Sequence, residues 1–166
     1  MTAPPSRDPA QHRADVHVLH RADVHVLLYG NREALLLGRR RGNPAWEGYC
    51  QLPSGSLGPG EPLRAGAARE LKEKTGVTAD PATLRMLHIS NHRGPYGTDR
   101  AGFFFAAQDW TDTGVSTEPE LCEGREWWDP GALTAPLPPY LAEALGHVAH
   151  GRRHSEFGWT AQEATP

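Results

Sequence analysis

Glu70 and Glu73 stand three residues apart in the run Arg69-Glu70-Leu71-Lys72-Glu73-Lys74. On a helix, that spacing projects both carboxylates from one side. The sequence predicts such a helix from about Pro62 to Gly76, since proline suits a first turn and glycine a C-terminal stop. Leu63, Ala67 and Leu71 recur at four-residue spacing as its apolar stripe, with Arg69, Glu70 and Glu73 lying away from it. Ahead of the helix, Gly55, Gly58, Pro59 and Gly60 make a loop, and Glu61 sits at the junction. A loop that turns back onto paired carboxylates suits a hard divalent cation, because Mg²⁺ takes oxygen ligands and is commonly shared with substrate phosphates. An isolated run of this kind, however, reads as a solvated helix face carrying an Arg69–Glu73 pair.

The wider stretch changes that reading. Gly55, Glu61 and Arg69-Glu70-Leu71-x-Glu73-x-x-Gly76-Val77 fall in one register, preceded by Leu52-Pro53-Ser54. From Gly55 to Val77 the chain resembles the Nudix box of the Nudix hydrolase family. The resemblance implies an α/β/α sandwich and Mg²⁺-dependent hydrolysis (Mn²⁺ as a substitute) of a nucleoside diphosphate linked to another group. It implies Glu73 as the principal metal ligand and Glu70 as a ligand or base. Glu61 and Arg69 would hold the geometry, and the Ser54 backbone carbonyl would give one more oxygen. Family members often supply a further glutamate from the region corresponding to Asp109–Glu126, which makes Glu118 and Glu120 candidates here. They are often dimers, which leaves a homodimer open.

One specified position departs from the box: Lys74 stands where the family has a second adjacent glutamate. Gly58 also stands where many members carry an acid. Each change removes a negative charge from a site meant for a doubly positive ion, and Lys74 adds a positive one. Two alternatives follow. The chain is a Nudix-fold binding or regulatory module in which Lys74 neutralises Glu70, or it hydrolyses a non-nucleotide or pathway-specific diphosphate.

With 166 residues, 38% of them hydrophobic, the chain is expected to form one domain with one core. A net charge of -3 disfavours binding a nucleic-acid polymer through phosphate neutralisation, and the resemblance implies a small-molecule phosphate substrate. Cys50 and Cys122 make neither a disulfide framework nor a metal-ligand pair by spacing. No run has the length of a membrane span and no apolar signal core opens the chain, so the expectation is a soluble, cytoplasmic protein.

The elements that must position the box follow from the rest of the chain. Residues 1–19 read as a disordered tail ending in a redundant copy of HRADVHVL, which recurs at once as His20–Leu27. Only the second copy runs on into Leu28-Tyr29, so the first core strand is predicted at Asp23–Tyr29, with His25 pointing outward. A second strand at Ala34–Arg39 ends in Arg39-Arg40-Arg41. Arg39 and Arg40 are candidate phosphate contacts, since guanidinium forks suit phosphate. Strands at Leu84–Asn91 and Gly102–Gln108 flank a turn-rich loop, with Tyr96 and Arg100 as tip residues within reach of substrate. The run Phe103-Phe104-Phe105 marks a strand covered on both faces. Leu141, Leu145 and Val148 mark a second helix over Leu137–His150. The fold class is therefore α+β, a mixed sheet between two main helices, in a domain spanning 20–150. Residues 151–166 form a tail whose Phe157 and Trp159 fold back on it.

Overall fold

A computed structural model describes residues 20–30, 35–42, 45–112 and 122–160. In chain order these form β1 (Arg21–Leu28), β2 (Leu35–Arg40), β3 (Cys50–Gln51), β4 (Ser54–Ser56), α1 (Leu63–Thr75) and β5 (Val77–Thr78). There follow β6 (Arg85–Arg93), β7 (Asp99–Ala107), β8 (Thr111–Asp112), β9 (Cys122–Trp128), α2 (Pro139–Ala149) and β10 (His154–Phe157). The architecture is the expected α+β sandwich: a mixed five-stranded sheet, in the order β10-β6-β7-β1-β4, lies between α1 and α2. A three-stranded sheet, β3-β2-β9, and a short β5-β8 pair complete it.

The alternation of β1 and β7 divides the core in two. Val24, Val26, Leu28 and Phe105 point to one face and pack with Ala67 and Leu71 of α1. Leu27 and Phe104 point to the other and pack with Leu141 and Ala144 of α2. Both strands lie inside the sheet with helices on both faces, which is why they read as near-continuous apolar runs rather than alternating ones. β1 is built from the second octapeptide copy, paired in parallel with β7 and antiparallel with β4. The first copy and the rest of 1–19 lie outside the described residues.

Three expectations need correction. His25 is buried, 3% exposed, because α2 covers the face of β1 that it occupies. The loop predicted between the middle strands shrinks to a short turn, since β6 runs to Arg93 and β7 starts at Asp99. Arg100 is thus a strand residue, and Tyr96 alone keeps the exposed tip. Finally, the sequence predicts a tail after residue 150, whereas His154–Phe157 adds an edge strand, β10, parallel to β6. His88 holds it by accepting from the Ser155 hydroxyl at 2.9 Å while its Nδ1 lies 2.9 Å from the Arg152 carbonyl oxygen.

Candidate active site

The loop from β4 into α1 is held by one side chain. All five N–H bonds of Arg69 find acceptors: both Glu61 oxygens at 2.8 Å, Glu70 Oε1 at 2.8 Å, Glu73 Oε2 at 3.0 Å and the Ser56 carbonyl at 3.1 Å. Glu61 also accepts from the Gly58 N–H at 2.9 Å, so the acid at the junction braces the turn before the helix. The fork-to-fork bond with Arg69 holds the Glu61 carboxyl down at about 2, and the same contacts push the guanidinium up. Gly76 closes the helix in the left-handed conformation at φ 74°.

Glu70 is placed differently from the sequence expectation. It lies away from the apolar stripe yet is buried, 6% exposed, beneath β4. The space it occupies is the space a Cβ on Gly55 would need, because that atom would collide with the Glu70 carboxyl group. Its Oε2 accepts no hydrogen bond among the described residues and faces the Lys74 ammonium at 3.9 Å. Burial raises the Glu70 pKa, against the opposing pull of Arg69 and Lys74. Three carboxylates, Glu61, Glu70 and Glu73, thus surround one guanidinium and one ammonium. Taken alone, these five groups carry one surplus negative charge, and Glu70 Oε2 is buried without a hydrogen bond. Such a donor set is chemically suited to a hard divalent cation, with Glu70 and Glu73 as the carboxylates on offer. No group of three or more His, Cys, Asp or Glu side chains converges at metal-binding distance among the described residues, and Glu118 and Glu120 lie outside them.

A cavity of about 450 Å³ opens beside this cluster, walled by β4, β1, β6 and α2. Ser54, Gly55 and Lys74 lie on its box side. Arg100, Asp23, His25, His92 and Tyr140 also line it. Arg100 donates to Asp23, which also accepts from the Ser56 hydroxyl at 2.7 Å. His25 stacks on Phe104 at 4.4 Å, and His92 on Tyr140 at 4.3 Å with the rings almost parallel. Burial drives both imidazoles neutral, His25 down to about 3 and His92 to about 4. Asp23 resists this shift in both. Arg41 and Arg125 complete the rim, Arg125 tied to Asp112 and to the Thr75 carbonyl.

Of the residues singled out from sequence, the structure brings together Glu61, Arg69, Glu70 and Glu73, and sets Ser54 and Arg100 on the adjoining cavity. Arg39 and Arg40 end β2 opposite Cys50 and Cys122, and their side chains are outside the described set. Sequence reasoning missed Asp23, His25, His92, Tyr140 and Arg125. They come from separate elements, and no local spacing links them. Trp46 packs edge-on against Tyr49 and also lines the cavity.

A family model of the NUDIX domain matches residues 19–149. The chain belongs to the Nudix family. It is a Nudix-type pyrophosphohydrolase. Among its relatives is an RNA pyrophosphohydrolase of Erythrobacter litoralis, 30% identical over 118 residues, or 61% of this chain and 71% of that one. A MutT NUDIX hydrolase from Burkholderia pseudomallei has the same fold, with a TM-score of 0.69 at 22% identity, over 78% of this chain and 98% of that one. So does the NUDIX domain of Shewanella oneidensis NrtR, solved with ADP ribose, with a TM-score of 0.60 at 22% identity over 85% and 93% of the two chains. No helix among the described residues is long and apolar enough to cross a membrane.

Proposed function

We propose that this Nudix enzyme hydrolyses a small nucleoside diphosphate derivative in a reaction that requires Mg²⁺ or Mn²⁺. The observation that carries the reading is the Arg69 hub, which gathers Glu61, Glu70 and Glu73 beside a cavity lined by Gly55 and Lys74 together with His25, His92 and Tyr140. Glu70 and Glu73 would hold the metal, with the Ser54 backbone carbonyl of β4 as a further oxygen. When bound, the metal supplies charge neutralisation of the diphosphate and lowers the pKa of an attacking water. The protein's own part is positional. Glu61 and Arg69 fix the loop to the helix, so that two carboxylates keep one geometry relative to the cavity. Glu70 is buried and its Oε2 accepts no hydrogen bond among the described residues, so that oxygen has coordination capacity for a cation. Arg100, pinned by Asp23, presents a guanidinium on the cavity wall. His25, His92 and Tyr140 form a wall that suits the planar remainder of a nucleotide, since neutral imidazoles offer hydrogen bonds without charge.

A second reading is favoured by one distance. Lys74 Nζ lies 3.9 Å from the Glu70 oxygen a metal would use, which supports a binding module with weakened catalysis. One experiment separates the two: phosphate and pyrophosphate release from a panel with and without Mg²⁺ or Mn²⁺. The panel holds nucleoside triphosphates, ADP-ribose, dinucleoside polyphosphates and a 5′-triphosphorylated oligonucleotide, the last because of the Erythrobacter relative. Metal-dependent turnover of at least one small substrate supports the hydrolase. Binding by calorimetry without turnover on the whole panel overturns it in favour of the module.

A further inference from the structure

We infer that His25 determines which end group the cavity accepts beside the diphosphate, by hydrogen-bonding the heterocyclic base of a nucleotide. The inference rests on the cavity being the substrate site, and it names a residue that gives that site its selectivity.

His25 lies on β1 between Val24 and Val26 and opposite Phe104 of β7, on the sheet face that α2 covers. Its ring stacks on Phe104 at 4.4 Å with 10° between the planes, and Tyr140 of α2 stands 6.1 Å away at 58°. Aromatic packing therefore fixes the plane of the imidazole. Hydrogen bonding does not: neither Nδ1 nor Nε2 has a hydrogen-bond partner among the described residues, and the residue is buried. The other buried histidines are held differently, His88 by the Arg152 carbonyl and the Ser155 hydroxyl at 2.9 Å, and His92 at Nδ1 by the Ser90 hydroxyl at 3.3 Å.

Native interiors pair nearly all their buried polar atoms, and a donor or acceptor left without a partner costs stability. An apolar side chain at position 25 would avoid that cost. The ring borders the cavity along with His92, Tyr140 and Trp46, so a bound molecule can supply the partner that the protein does not. Burial keeps the imidazole neutral, its pKa down at about 3. A neutral imidazole carries one N–H donor and one acceptor nitrogen. That pair, framed by aromatic rings, suits a flat, uncharged heterocycle with polar atoms on its edge, and suits neither a second anion nor an alkyl chain. A desolvated polar group also rejects a ligand that leaves it unpaired, which is how one buried residue discriminates. Because Phe104 already holds the ring, little freedom is lost when a ligand binds it.

The test is calorimetry of the full chain in the presence of Mg²⁺ with the α,β-methylene analogues of ADP, GDP, CDP and UDP, which resist hydrolysis, and with methylenediphosphonate, which has no base. Wild type is compared with His25→Phe, His25→Asn and His25→Gln, each checked for cooperative unfolding, and His25→Leu replaces His25→Phe if the larger ring does not fold. Wild type should prefer one base, and His25→Phe should lose roughly tenfold or more on that analogue, the worth of one buried hydrogen bond. Methylenediphosphonate should bind wild type and His25→Phe alike. Asparagine brings an amide near the place of Nδ1 and glutamine near that of Nε2, so one of them should restore part of the preference and thereby identify the nitrogen that reads the base. A wild type that binds all four analogues alike, or none, overturns the inference. So does a preference retained in His25→Phe, or one that neither amide restores. Turnover plays no part in the readout, so failure of the hydrolase reading and failure of this one are told apart.

Discussion

Adding one methyl group at Gly55 should disable the site through Glu70. An alanine there is compatible with the backbone, since Gly55 is not among the glycines with positive φ. The obstacle is the side chain beneath it. The new Cβ would lie well inside van der Waals contact of the Glu70 carboxyl group, where about 3.5 Å is the ordinary limit. Either β4 lifts from α1 or the carboxylate leaves its place and its Arg69 bond. Overpacking costs about 1–3 kcal/mol, and a lost charge-assisted hydrogen bond costs a similar amount. A net destabilisation of about 2–4 kcal/mol should lower the melting temperature by roughly 5–15 °C for a chain of this size. Mn²⁺ binding, followed by electron paramagnetic resonance, should weaken in parallel. The decisive comparison is a double-mutant cycle in which Gly55→Ala is introduced into Glu70→Ala. With the carboxyl group gone the methyl has room, so its cost should fall below about 1 kcal/mol, a coupling well above the additivity limit. An equal cost in both backgrounds would refute the account, because the strain would then lie elsewhere in the loop.

Three further outcomes are expected. Lys74→Glu should tighten Mn²⁺ binding and lower the Mg²⁺ concentration for half-maximal turnover by roughly tenfold, since like charges near 4 Å repel by about 1–4 kcal/mol between water-like and surface-like dielectrics. Glu73→Gln should abolish turnover, and an unchanged metal requirement in Lys74→Glu would place Lys74 out of the metal's field. Stability should also rise with pH between about pH 4 and 6.5, because the unfolded chain there holds protons that folded His25 and His92 refuse. That stability is fully present above the unfolded value and lost on acidification, at about 1.4 kcal/mol per pH unit for each proton excluded. Urea midpoints measured across the range should show the slope, and His92→Phe should flatten it; a midpoint unchanged from pH 7 to 5 would contradict it.

Local chemistry made α1 legible. Proline, an apolar stripe and a closing glycine fix its bounds to within a residue, and the box positions follow. The Phe103–Phe105 run likewise revealed a strand buried on both sides. The same double burial hid His25, because alternation stops reporting inside from outside when both faces are covered. β10 escaped for a different reason: its buried position is Ser155, held by a hydrogen bond to His88, so no apolar alternation marks it. The convergence of the cavity lining was illegible in principle. Asp23, His92, Arg125 and Tyr140 converge through sheet order and helix docking, which no short spacing records.

The construction of β1 from a duplicated octapeptide bears on how the chain finds its register. A shift by one repeat is an even number of residues, so it keeps every side chain on its own face. Residues 13–20 would then offer the sheet the same side chains as β1 in the same order, with one exception. His20 would take the place of Leu28, which is fully buried in the core shared with α1. The longer connection to β2 would add only a slowly growing closure entropy. Discrimination between the native sheet and its nearest decoy therefore falls largely to one leucine at the end of the strand, where an imidazole would be buried in an apolar layer.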